Sequence, residues 1–129
     1  MSADVKPLSA PYVSGLEQGI LRYQACLDCG AAQTLPRYAC RRCGSTRLEW
    51  RDSKGRGTVY AATVVTRAPS DDFRPLAPYT LVLVDLDEKS RVMAHAQAGA
   101  AIGDRVEATY FRHGDRTLVR FRPLAKENA

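Results

Sequence analysis

Four cysteines occupy two copies of one short pattern, CLDCG at 26–30 and CRRCG at 40–44, and the 129 residues contain no others. Two residues between cysteines let the backbone fold into a tight knuckle with both sulfurs turned toward one point. The glycine that follows suits the left-handed position such a turn needs. Paired knuckles would supply Cys26, Cys29, Cys40 and Cys43 as a tetrahedral thiolate set about 2.3 Å from a metal ion. Zinc is the expected ion, with iron in the same cage as the alternative. A redox dithiol is a poorer reading, since a C-x-x-C catalyst needs only one pair at a helix start. All four cysteines lie within 18 residues, whereas a secreted disulfide framework spreads them to staple distant loops. Four sulfurs leave no coordination position for substrate or water, so the expected role is structural and not catalytic.

Net charge is +5, and the whole excess sits beside this module: Arg37 to Arg56 holds seven basic residues against two acidic ones. Ligand cysteines must be deprotonated, so four of them around a divalent cation carry about −2, which the basic cluster partly balances. The sharper reading makes Arg37, Arg47, Trp50, Arg51 and Arg56 a ligand-binding set. It would hold the adenine and 3′-phosphate of coenzyme A, or the stacked bases of a single nucleic-acid strand. The plainer reading makes Trp50 a hydrophobic hinge.

Catalytic signals are otherwise missing. No G-x-S-x-G or G-x-x-x-x-G-K-[ST] pattern occurs. His95 and His113, the only histidines, read as solvated or satisfied groups. Asp71 and Asp72 are adjacent and diverge, while Asp85 and Asp87 share a strand face running into a turn. No apolar run approaches the 18 or so residues of a membrane span. The N-terminus MSADVKPLSAPY has neither a basic nor an apolar signal region, so a cytoplasmic protein is expected, with no membrane association.

These residues need elements to hold them. PYVSGLEQGILRY (11–23) places Tyr12, Leu16, Ile20 and Tyr23 at helical spacing, with Ser9 as cap and Pro11 in the first turn. Gly15 and Gly19, four apart, would let that face approach a neighbour closely. The ten residues between Cys29 and Cys40 are few for a common ribbon and favour a compact rubredoxin-like arrangement. From Gly55 the texture turns to strands: 57–67, 78–87, 91–97, 104–112 and 117–123. In the last, Val119 and Phe121 alternate with Leu118, Arg120 and Arg122. DEKS reads as a tight turn and HGD as a hairpin turn. Five such strands suggest a small antiparallel barrel or sandwich. The 67–78 segment, RAPSDDFRPLAP, is stiffened by three prolines and carries Phe73 as an exposed-looking tip. It reads as a connector or a partner contact. The expected division is a tail and helix at 1–23, a ribbon at 24–52, a β domain at 53–124 and a tail at 125–129.

The two knuckles, GRGTVYAATVV at 55–65, PYTLVLVDLD at 78–87 and IGDRVEATY at 102–110 together resemble a known family. It comprises zinc-ribbon plus OB-fold proteins described as acyl-CoA-associated and once classed as a domain of unknown function. The similarity covers about residues 11–122. It implies a mainly β fold: a short N-terminal helix, a rubredoxin-like zinc ribbon and a five-stranded OB-fold barrel. It also implies a non-catalytic accessory or scaffold subunit binding acyl-CoA, a thiolase-like or related enzyme, or both. A single-stranded nucleic-acid-binding OB protein is the alternative. The resemblance carries over no catalytic residue.

Overall fold

A computed structural model describes residues 8–68 and 70–124; the expected tails before residue 8 and from 125 to 129 lie outside them. The chain begins with one helix, α1 (Ala10–Glu17), carrying Pro11 in its first turn. Ser9 occupies the cap position, but its side chain makes no capping hydrogen bond. The helix is shorter than the spacing of apolar residues suggests. The N–H groups of Gly19 and Ile20 bond back to Leu16 O (3.0 Å) and Gly15 O (2.7 Å), with Gly19 at φ +76°. That is a Schellman stop. It throws Ile20 out of the helix and starts a strand, so Tyr23 belongs to sheet. Gly15 does permit a close approach, but to this chain's own return. A Cβ there would lie 2.8 Å from Ile20 O.

The returning strand β1 (Leu21–Cys26) is the middle of a three-stranded antiparallel sheet between β2 (Ala32–Gln33) and β3 (Leu48–Ser53). Leu21 faces Ser53 and Cys26 faces Leu48 in that register. Lys54 and Gly55 then lead into a closed barrel of β4 (Arg56–Val65), β5 (Tyr79–Leu86), β6 (Arg91–Ala96), β7 (Arg105–His113) and β8 (Arg116–Pro123). The order around it is β4-β5-β6-β8-β7, which is the OB-fold arrangement. Each of the five expected strands is present within two residues of its expected ends. Closure requires one parallel contact, His95 and Ala96 on β6 beside Arg120 and Phe121 on β8.

Burial alternates as half-buried strands demand. In β5 the inward set is Thr80, Val82, Val84 and Leu86, all buried, so its nearly continuous apolar run still has one face outside. Phe121, Val59 and Val106 join them in the core. That core also takes Leu16 from α1 and Leu21 from β1, so the N-terminal segment closes the barrel. Tyr23, Ala25 and Ala32 form a separate small cluster inside the ribbon. Among the described residues no helix is long and apolar enough to cross a membrane.

Candidate metal centre

β1 ends on Cys26, and the two knuckles that follow repeat one backbone pattern. Cys26 N–H donates to Ala31 O and Cys40 N–H to Ser45 O, both at 2.8 Å. Gly30 N–H returns to Cys26 O at 3.0 Å and Gly44 N–H to Cys40 O at 2.8 Å, with both glycines at φ +79°. The left-handed turn anticipated after each second cysteine is therefore present twice. The two knuckles meet through their sulfurs. Cys26 Sγ lies 3.6 Å from Cys43 Sγ, and Cys29 Sγ lies 3.6 Å from Cys40 Sγ. All four sulfurs fall within 4.8 Å of one another.

Those separations test which chemistry fits. Disulfides require about 2.05 Å, well short of either pair. A tetrahedron with metal–sulfur bonds of about 2.3 Å has edges of about 3.8 Å, close to both. Backbone donors already point at the sulfurs: Arg42 N–H lies 3.3 Å from Cys40 Sγ and Cys29 N–H 3.5 Å from Cys26 Sγ. The N–H groups of Cys43 and Arg42 draw the Cys40 thiol down to about 6. Cys26 is lowered by the N–H of Cys29, against the pull of burial. Cys43 goes the other way, up to about 12. The Ser45 N–H lowers it, but desolvation and the three neighbouring sulfurs outweigh that donor. Four thiols this close cannot all ionise alone. A divalent cation among them would remove the conflict, and four sulfurs would leave it no open position.

Two buried amides hold the knuckles in place, and nothing in the sequence marked them. Gln33 Nε2 donates to Gln24 Oε1 at 3.0 Å. Gln24 also accepts from Arg37 N–H at 2.9 Å and donates to Arg37 O at 3.1 Å. Gln33 Oε1 accepts from Arg41 N–H at 3.3 Å. The excursion between the knuckles is thus pinned at its far side and at its return.

The five residues expected to bind a ligand do not converge. Arg37 is exposed, held only through its backbone. Arg47 pairs with Asp28 at 2.6 Å, and Arg51 with Glu49 at 2.7 Å. Trp50 and Arg51 are consecutive in β3, so their side chains leave opposite faces of the sheet. Arg56 is the first residue of β4, in the barrel wall. Trp50 is half-buried opposite Gln24 and is not among the residues packed on the barrel core, so the hinge role does not fall to it. Besides Leu16 and Leu21 in the barrel core, the β5–β6 turn ties the two parts: Glu88 accepts from Ser53 Oγ at 2.7 Å and from Lys54 N–H at 3.0 Å.

On the barrel, Phe73 is half-buried, not an exposed tip. It stacks on His113 with ring centroids 5.2 Å apart and on His95 at 5.9 Å. Tyr79 lies 4.9 Å from His95, whose edge meets Phe111 at 5.6 Å. His113 Nε2 contacts Asp72 O at 2.6 Å, and Arg116 pairs with the Asp72 carboxylate. Both histidines therefore anchor the proline-rich loop. A shallow cleft of ≈ 320 Å³ beside it is lined by Tyr79, Thr80, His95, Gln97 and Arg120, among others.

Comparison with known proteins follows the same division. The family model of the ChsH2 rubredoxin-like zinc ribbon domain matches residues 13–49, and that of the ChsH2 C-terminal OB-fold domain matches residues 50–111. The chain is 31% identical over 111 residues to a DUF35 domain-containing scaffold protein of Methanocaldococcus jannaschii, covering 77% of this chain and 78% of that protein. A scaffold protein of the same description from Methanothermobacter thermautotrophicus is 31% identical over 90 residues, covering 66% and 67%. Among solved structures, a chain of the Ltp2-ChsH2(DUF35) aldolase superposes with a TM-score of 0.77 at 26% identity, covering 93% of this chain and 97% of that one. A DUF35-family protein of unknown function from Sulfolobus solfataricus shares the fold, with a TM-score of 0.65 at 18% identity, covering 95% and 90%. The four-sulfur centre is thus that of a zinc ribbon, with zinc as its structural ion.

Proposed function

We propose that this chain, which belongs to the ChsH2 family of rubredoxin-like zinc ribbons joined to an OB-fold domain, is a non-catalytic scaffold subunit for an enzyme of acyl-CoA metabolism. The enzyme we infer is thiolase-like, and the complex would meet its acyl-CoA substrate. The observation that carries this reading is the likeness along nearly the whole chain to a component of an aldolase, together with a metal site of four sulfurs that has no room for substrate. A protein that contributes no reacting group to such an assembly contributes surface.

The surface has a suitable character. At the ribbon tip Leu35 and Tyr38 are 69% and 79% exposed, and Arg37, Arg41 and Arg42 lie exposed beside them. Aromatic and arginine side chains together are what protein interfaces enrich. Against the nucleic-acid reading, Phe73, Tyr79 and Phe111 spend their ring faces and edges on histidines of this chain, and are not splayed for bases to stack on.

Coexpression with a thiolase-like protein, followed by copurification and CoA titration, tests the proposal. A stable complex is expected. Absence of any such complex, with no CoA affinity, would sink it. Salt-sensitive binding of single-stranded oligonucleotides would favour the alternative.

A further inference from the structure

Strand β4 is paired on both edges only at its start. Arg56, Gly57 and Thr58 lie between β5 and β7, whereas Ala61 to Val65 pair with β5 alone. No other strand among the described residues lies along that far edge. In an antiparallel ladder alternate residues turn their N–H and C=O groups away from the neighbour, so this edge presents unpaired backbone groups. A break in register between Val59 and Ala61 marks where the strand changes character. Before it Val59 is buried in the core. Beyond it Ala62 is exposed although its partner Val82 is buried, and Val64 is 60% exposed.

Edge strands are ordinarily guarded by a lysine, a proline, an inward charge or a covering element. From Gly57 to Thr66 the chain reads GTVYAATVVT, with no charge and no proline. On the outer face beside it Met93, 67% exposed, stands next to Leu83, while Tyr60, half exposed, lies under the Arg91 guanidinium, 3.7 Å from its ring centroid. An uncharged edge of β-branched and small residues suits an equally uncharged strand.

We propose that residues 61–65 accept an extended apolar strand of the enzyme subunit, which adds to the barrel sheet as one more antiparallel or parallel neighbour. The inference rests on the scaffold reading and specifies how that partner is held. A second copy of this chain is the poorer occupant. Five residues span about 17 Å, too little to supply alone the roughly 1,200 Å² at which stable interfaces begin. The occupant must be held elsewhere as well, and a large enzyme subunit contacting the exposed ribbon tip meets that need.

The test compares the wild type with Ala62→Lys and Val64→Lys, which place a charge at exposed positions and should melt at the wild-type temperature. Each is coexpressed with the thiolase-like subunit, and affinity and amide exchange are measured. The expected result is binding weakened by about tenfold or more in both variants. In the wild-type complex, alternate amides of 61–65 should become protected from exchange. A complex that leaves those amides unprotected and tolerates both lysines overturns the strand addition while the scaffold reading stands. Failure of the wild type to bind the enzyme at all overturns both. Self-association abolished by Val64→Lys, with enzyme binding unchanged, would assign the edge to a second copy instead.

Discussion

Gln24 and Gln33 lie side by side in β1 and β2, joined by a 3.0 Å hydrogen bond, and each also takes a backbone N–H from the excursion between the knuckles. Replacing Gln24 by Ala would strand the Arg37 N–H and the Gln33 amide. A buried donor without a partner costs about 1–3 kcal/mol. Gln24→Ala is expected to lower stability by that amount and to weaken metal retention, although it touches no sulfur. Denaturant unfolding and competition with a chromogenic chelator provide the check.

Metal removal should dismantle the knuckles and spare the barrel, because the small cluster of Tyr23, Ala25 and Ala32 is separate from the barrel core, which keeps Leu21 of β1. Chelation is expected to release the amides of residues 26–47 to exchange while those of β5, β6 and β8 stay protected. Cys40→Ser should do the same without chelator. With Cys43 held at about 12, zinc binding at neutral pH must expel its proton. Rebinding measured in two buffers of different ionisation heat should therefore show proton release.

Phe73 is the keystone of the 66–78 loop, stacked on both histidines. Phe73→Ala should cost about 1–2 kcal/mol and speed exchange of the Leu76 and Ala77 amides, which bond to Phe73 O and Arg74 O.

His95 gives the same region a pH dependence. Burial holds it below the ordinary 6.5, and the charge of Arg120 and the neighbouring His113 act in the same direction. On acidification the unfolded chain takes up this proton before the folded one. The contribution to stability is complete above 6.5 and is lost as pH falls below it. His95→Phe should flatten the dependence of unfolding midpoint on pH between 7.5 and 5. An unchanged slope would show that His95 is not its source.

Glu88 ties the barrel to the ribbon strand through Ser53 and Lys54. Glu88→Ala is expected to cost about 1 kcal/mol and to expose the Lys54 amide. Glu88→Gln should fall between, since its amide keeps one acceptor.

What was legible in the residues was local. Each barrel strand carries its own alternation or β-branched run between turn residues, and Cys26, Cys29, Cys40 and Cys43 announce themselves by spacing. What escaped was settled by distant partners. The pattern Tyr12, Leu16, Ile20, Tyr23 fits a helix, yet a stop at Gly19 and pairing with β3 drew its second half into sheet. Gln24 and Gln33 look like ordinary polar residues until their strands pair. Phe73, His95 and His113 lie too far apart in sequence for any window to join them. The basic stretch misled for the opposite reason: its charges are close in sequence, but alternation and local ion pairs at Arg47 and Arg51 disperse them.

β1 begins with Leu21, fully buried in the barrel core, and ends with Cys26 at the metal. Six residues thus belong to both halves of the molecule. An OB barrel cut out from Lys54 onward would lack its stopper and expose an apolar mouth. A ribbon grafted onto another protein would bring that stopper with it, unsheathed. Neither half is a portable part, and any fusion or truncation that treats the chain as two interchangeable modules should yield insoluble pieces.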